Sequence, residues 1–371
     1  MTENTDGGNS PRQHHNLGDA LSRLRSRMEP EAVARADRMA RIRSGYVSTP
    51  RDRELEAAVA AMIEAQAGYA HSGWAASEAH KQRALFVIGE SGSGKSTAIR
   101  RMLARQPVFQ PYDDEYGQVV RPAVSFDAPK PLTMKLLART GLHAIGYPID
   151  RDRQENEMWE LFRDQIKERS VLMLHVDEMQ HAIRSTTHAG IQNTADVVKS
   201  LLQVPDWPLS AIFSGVPSLA AFLQHEDEQL KNRCKVIRFD PLVPGRDTPM
   251  LRKTMEGVIA KNAGMEAEDA VLTDSFANRV MHATRNAFGT AIQFVREVVF
   301  VALRDGREKV EVRDFVQAYA RFTGCTPDQN VFSATEWKTI HPGSALKDYL
   351  LKAEQDERQA KLDRGGRGRK K

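Results

Sequence analysis

From residue 83 onward, short apolar runs alternate with longer stretches whose apolar positions recur every three to four residues. RALFVIG (83–89), AVSFDA (123–128), VLMLHVD (171–177), LSAIFSG (209–215) and KVIRFDPL (235–242) are bounded by turn residues and predict buried strands. Between them, 132–145, 154–168, 191–203 and 218–224 carry the helical period. Strands alternating with helices predict an α/β fold, a parallel sheet sandwiched by helices. Ahead of it, 17–44 and 51–69 read as helical, and 247 to about 322 as helices only. The expected organisation is therefore a disordered polar N-terminus (1–16), an N-terminal helical region (17–69), the α/β domain (70–246), a small all-α domain (247–325) and a C-terminal extension (326–371).

Composition narrows the class. With 41% hydrophobic and 27% charged residues in 371, the chain can bury one large core and a smaller one. The two cysteines, Cys234 and Cys325, lie far apart and form no CxxC pair, which argues against structural zinc or a disulfide framework. The first residues, MTENTDGGNSPRQHHNLG, contain no apolar core of a signal peptide, and no stretch approaches 18 apolar residues. The expectation is a cytoplasmic protein with no membrane partner. A net charge of +4 leans only mildly toward polyanions. Charge is uneven, however. Residues 21–53 hold nine Arg against four acids, and the last eight residues, RGGRGRKK, hold five basic residues and no acid. The Arg-rich stretch reads either as a solvated helical face or as a docking surface.

The strongest chemical signal is GESGSGKST, residues 89–97. It fits G-x-x-x-x-G-K-[ST] with Gly89, Gly94, Lys95 and Ser96, and it stands between a strand and a helix. Glycines let backbone N–H groups curl around a phosphate, and the helix N-terminus adds its positive end. The loop Gly89, Glu90, Ser91, Gly92, Ser93, Gly94, Lys95, Ser96 and Thr97 is the candidate ATP cradle. Lys95 is expected on the β- and γ-phosphates and the Ser96 hydroxyl on Mg²⁺. Such a loop needs a second strand ending in an acid, and VLMLHVDEMQHAI (171–183) supplies one. Asp177 is expected to hold Mg²⁺, and Glu178, facing another way, to polarise the attacking water. His175 and His181, which at first suggest a metal cluster, then read as a strand-interior and a loop histidine.

Two further residues follow from position. Ser214, ending the next strand, is a candidate for contact with the γ-phosphate or lytic water; its plain alternative is a Ser before a Gly turn. Arg233 precedes the strand KVIRFD, where ring or filament ATPases carry an arginine finger; its plain alternative is a helix C-terminal Arg favoured by the dipole. Lys130, Thr133 and Lys135 in DAPKPLTMKLL begin a helix and suit DNA phosphates; a capped, solvated helix start reads equally well. No recognition helix or zinc finger is visible, so base-specific readout is not expected.

GESGSGKST, VDEMQH, FSGVPSLAAFL and DEQLKNRC, in that order and spacing, resemble the TniB/TnsC-like AAA+ ATPases of bacterial transposons over about 46–320. The resemblance implies a P-loop NTPase (AAA+) sheet followed by an all-α lid. It further implies ATP and Mg²⁺ as cofactors, Ser214 as sensor 1, Arg233 as the finger, and ring or filament homo-oligomers on DNA. The implied task is to link target-site selection to transposase recruitment, through contacts with the transposase and target-selection proteins of the same transposon. By the same resemblance, ATP hydrolysis is expected to reset the assembly. One departure stands out: the G-x-x-R of many AAA+ lids has its nearest match in RNAFGTAIQFVRE, where Gly289 is followed three places later by Ile292. An AAA+ ATPase of another DNA process, such as a replication loader, and a nucleotide-gated scaffold with slow hydrolysis remain the alternatives.

Overall fold

The computed structural model describes residues 17–72, 83–181, 188–204, 207–220, 234–347 and 350–351. Five parallel strands form the central sheet: β1 (Ala84–Gly89), β4 (Ala123–Asp127), β5 (Met173–Asp177), β6 (Ser210–Gly215) and β7 (Cys234–Phe239). Their spatial order is β4-β5-β6-β1-β7. The first of the predicted strands, β1, thus lies inside the sheet, and every one of its residues is buried. Successive side chains point to opposite faces. Phe86, Phe213 and Leu174 enter a core with Trp159 and Phe162 of α6 (Glu155–Glu168) and Leu142 of α5 (Met134–Ala144). Leu85, Val87, Met173 and Ile212 enter the other, with Leu55 and Val59 of α3 (Pro50–Ser72) and Ile99 and Met102 of α4 (Lys95–Arg105). Both faces are covered, which is why these strands read as continuous apolar runs.

A third core joins the C-terminal helices Thr248–Glu256, Asp274–Ala283, Phe288–Arg304 and Val312–Thr323. Phe294, Phe315 and Phe332 pack against one another in it, edge-on, stacked and tilted. Met39 and Ile42 of α2 (Pro30–Ser44) belong to this same core. The N-terminal helices therefore have no core of their own: α2 closes the C-terminal bundle, α3 covers the sheet, and α1 (Leu17–Ser26) buries no residue.

Other differences have local causes. The helix expected over 17–44 breaks before Pro30, which has no N–H to give and starts α2 at its first position. The bundle is not purely helical, since β8 (Glu266–Ala267) pairs in parallel with β9 (Lys309–Val310). A small hairpin, β2 (Tyr112–Asp113) with β3 (Val119–Val120), was likewise not expected. Two-residue strands are too short to show a period. Among the described residues no single helix is long and apolar enough to cross a membrane.

Candidate nucleotide-binding site

β1 delivers the chain to Gly89, and the loop turns through a Ser93 N–H to Glu90 carbonyl bond of 3.1 Å before α4 begins. Gly92 (φ +76°) and Gly94 (φ +97°) adopt left-handed backbone that a side chain would strain. The Lys95 side chain folds back over the loop. Its Nζ donates to the Gly89 carbonyl at 2.6 Å and the Glu90 carbonyl at 3.0 Å, and lies 3.3 Å from Ser93 Oγ. Burial lowers its pKa, while Asp177, Glu178 and Glu90 pull the other way.

Asp177 ends β5 with 3% of its surface exposed. Its Oδ1 accepts from the Glu178 backbone N–H at 2.9 Å and from Ser214 Oγ at 2.5 Å. Burial pushes its carboxyl up, but hydrogen bonds from Ser214 and Ser96 outweigh that, and the net direction is down. Arg100 of α4 stands 3.5 Å from Asp177 Oδ2 and 3.6 Å from Asp127 Oδ1. The ionised carboxylate and the Ser96 hydroxyl thus lie together at the loop's edge. That donor set suits Mg²⁺, which takes one or two protein oxygens and completes its shell with phosphates and waters. Glu178, adjacent in sequence, has φ +58° and lines the larger cleft over the loop, which Asp177 does not. Gln180 Nε2 donates to Glu178 Oε2, and Gln180 Oε1 accepts from the Val216 N–H at 3.2 Å.

Ser214 is placed differently from the expected γ-phosphate contact. It is completely buried behind Asp177, and Gly215 and Val216 line the cleft instead. His175 is no metal ligand either: both ring nitrogens are bound to serine hydroxyls. Among the described residues no group of three or more His, Cys, Asp or Glu is placed to hold a metal ion.

Two contiguous clefts open over the loop. The larger is lined by Lys95, Ser96, Glu178, Gln180, Thr290 and Gln293 among others. The smaller lies between Tyr46, Val47, Thr97, Phe239, Ile292 and Arg296. Its first wall, the segment joining α2 to α3, carried no motif in the sequence. Asp52 braces that segment: it accepts from Tyr46 Oη, from Thr49 Oγ1 at 2.7 Å and from the Thr49 N–H at 2.5 Å. The Arg101 guanidinium stacks 4.1 Å over the Tyr46 ring. The opposite wall is the helix Phe288–Arg304. Arg296, buried, donates from Nη2 to the Gly45 carbonyl, and its Nε has no hydrogen-bond partner among the described residues. Arg285 turns to the Pro342 carbonyl at 3.0 Å. Neither arginine stands in the G-x-x-R register counted from Gly289, and the polar residues facing the larger cleft from this helix are Thr290, Gln293 and Glu297.

The remaining candidates divide. Thr133 caps α5, accepting from the Leu136 N–H at 3.1 Å, and Lys135 Nζ pairs with Asp152 at 2.9 Å. Their side chains are engaged within the fold, while Lys130 is exposed. Arg233 lies outside the described residues, as do the side chain of His181, the N-terminal 16 residues and the last 20.

A family model described as "Bacterial TniB protein" matches residues 50–242, just over half of the chain. No curated protein matches the sequence. Among solved structures, the chain is similar to the Orc1 protein of Aeropyrum pernix in complex with DNA. The TM-score is 0.52 at 16% identity, covering 75% of this chain and 65% of that one. It thus spans just under two thirds of that Orc1 chain. The Aeropyrum pernix ORC2 protein in its ADPNP–ADP complexes matches at TM-score 0.52 and 14% identity, over 77% and 72%. The fold is that of a P-loop AAA+ protein, a parallel five-stranded sheet flanked by helices and followed by a helical region.

Proposed function

Because the chain belongs to the bacterial TniB family, we propose that it is an ATP-dependent regulator of DNA transposition. It binds ATP with Mg²⁺, assembles as a homo-oligomer on DNA without base preference, and links target-site choice to transposase recruitment. The observation that carries the nucleotide part is the meeting of three elements at one loop. The Gly92–Gly94 turn, the Ser96–Asp177 pair and the N-terminus of Phe288–Arg304 enclose clefts that suit a base, a ribose and a phosphate chain.

In this reading Tyr46, Val47 and Phe239 take the base. Backbone N–H groups of 91–96 and the Lys95 ammonium hold the phosphates. Ser96 and Asp177 hold Mg²⁺, which when bound neutralises charge on the phosphate oxygens. Glu178 orients a water and accepts its proton at the carboxylate. Arg233 serves a neighbouring subunit's site, on sequence grounds alone. Similarity to a protein bound to DNA, together with the basic N-terminal stretch and tail, supports DNA as the partner. Of the candidate contact residues, exposed Lys130 is the better placed for a backbone phosphate.

The test is ATP turnover by the full chain with and without DNA, combined with microscopy of DNA in ATP. DNA-bound oligomers that recruit a transposase are the expected result. Absence of DNA binding in ATP overturns the reading.

A further inference from the structure

We infer that His175 is a positioning residue for the acidic edge of the site, acting through Ser214 on the Asp177 carboxylate. The inference rests on the ATP-binding reading for its kinetic consequence, though not for its geometry.

Four side chains from three neighbouring strands form one line. Ser125 Oγ lies 2.8 Å from His175 Nδ1, His175 Nε2 lies 2.8 Å from Ser214 Oγ, and Ser214 Oγ lies 2.5 Å from Asp177 Oδ1. Strand register sets this up: Ser125 is paired directly with His175, and Met173 with Ser210, which brings Ser214 level with Asp177. The directions of the three bonds follow from counting protons. The Asp177 carboxylate only accepts, so the single hydroxyl proton of Ser214 goes to it. Ser214 Oγ is then left with lone pairs only, so His175 Nε2 must carry a proton and donate it. A neutral imidazole has one N–H, so Nδ1 accepts from Ser125.

Because His175 and Ser214 are both completely buried, water cannot replace the bond between them or the bond from Ser214 to Asp177; only Ser125, at the far end of the line, is exposed. The consequence falls on Asp177. Its Oδ1 is fixed by Ser214 and the Glu178 N–H, which leaves Oδ2 facing Arg100 and sets the plane of the carboxylate beside Ser96. Ser214 spends its proton on Asp177 and lies behind it. Its influence on a bound nucleotide therefore runs through the acid. Partners that orient a ligating carboxylate in this way change metal affinity or activity by about 10- to 100-fold when removed.

Two measurements on the full chain test this. The first needs no activity. Imidazole ¹⁵N spectra at neutral pH, with the His175 signals identified by their loss in His175→Phe, should show protonated Nε2 and bare Nδ1. Ser214→Ala should shift the Nε2 signal. Protonation at Nδ1, or no response to Ser214→Ala, overturns the relay even if the chain proves to hydrolyse nothing. The second is turnover against Mg²⁺ and ATP. His175→Phe, with the fold checked by circular dichroism, should lower kcat about 10-fold and raise the half-saturating Mg²⁺, with KM for ATP little changed. His175→Gln, whose amide N–H reaches the Nε2 position, should recover most of the loss. Should His175→Phe not fold, His175→Asn, too short to reach Ser214, takes its place. Wild-type kinetics in a folded variant, or no rescue by Gln, overturns the proposal. Absence of turnover in the wild type would instead strike the ATPase reading and leave the spectra to decide the relay.

Discussion

The backbone N–H of Thr290 donates to the carbonyl of Gly92 at 2.9 Å, so the first turn of a C-terminal helix is tied directly to the phosphate loop. Gly289 makes this approach possible. A Cβ there would stand 2.6 Å from the Gly92 carbonyl oxygen and 3.0 Å from the Gly94 nitrogen, both backbone atoms of a constrained turn. Gly289→Ala should push the helix end off the loop at a cost of about 1–3 kcal/mol. At least 1.4 kcal/mol of that falling on the nucleotide-bound form means about tenfold weaker binding. Titration with a fluorescent ATP analogue measures it. Wild-type affinity would show that the contact is incidental.

Glu178→Gln should bind nucleotide and DNA like the wild type and turn over about 10²- to 10⁴-fold more slowly, the range removed with a general base. The substitution keeps shape and leaves the φ +58° backbone to the same length of side chain. It also leaves an amide for Gln180 to meet. Phosphate release, read beside equilibrium binding, separates the two effects. Normal turnover would remove Glu178 from the reaction.

How far the site could be read in the sequence depends on how local each part is. The cradle from Gly89 to Thr97 is one loop between one strand and one helix, and its residue types carry its geometry. Asp177 was found through its strand. The role of His175 was invisible, since it depends on the register of β4, β5 and β6 together. Tyr46 and Asp52 carried no signal, and Arg296 could only be seen to stand out of register with G-x-x-R, because what brings this segment to the helix is long-range: the Arg296–Gly45 bond spans 251 positions, and no periodicity records it. The aliphatic pattern marked α2 as helical but could not say that Met39 and Ile42 complete the core of a bundle more than 200 residues away.

Tyr46 walls the smaller cleft and is fixed by its bond to Asp52 and by Arg101. Tyr46→Ala should weaken ATP several-fold and leave inorganic triphosphate unaffected, because only the base loses a wall. Asp52→Ala should do more harm to the fold. It removes the acceptor of three bonds and leaves the Thr49 N–H and hydroxyl to find others, at about 1–3 kcal/mol. Competition titrations with the two phosphates and thermal melts check these expectations. Equal losses for ATP and triphosphate would place Tyr46 outside the base site.

His175 also gives the fold a pH dependence whose sign is fixed. Burial lowers its pKa from the ordinary 6.5 to about 4, opposed by Asp177 and reinforced by Arg100. Between those values the unfolded chain binds a proton that the folded chain refuses, so stability rises with pH across the window. The contribution is complete above pH 6.5 and is lost as pH falls toward 4; over the whole window it amounts to about 3 kcal/mol. Denaturant unfolding at pH 7.5 and pH 5 should show the wild type losing about 2 kcal/mol more than His175→Phe, which has nothing to protonate at that position. Comparing the two chains cancels the carboxylates that titrate lower down. Parallel losses would mean that the imidazole is protonated in the folded chain, and the hydrogen bond from Ser125 to Nδ1 would then have to be redrawn with Nδ1 as donor, since an imidazolium donates from both nitrogens.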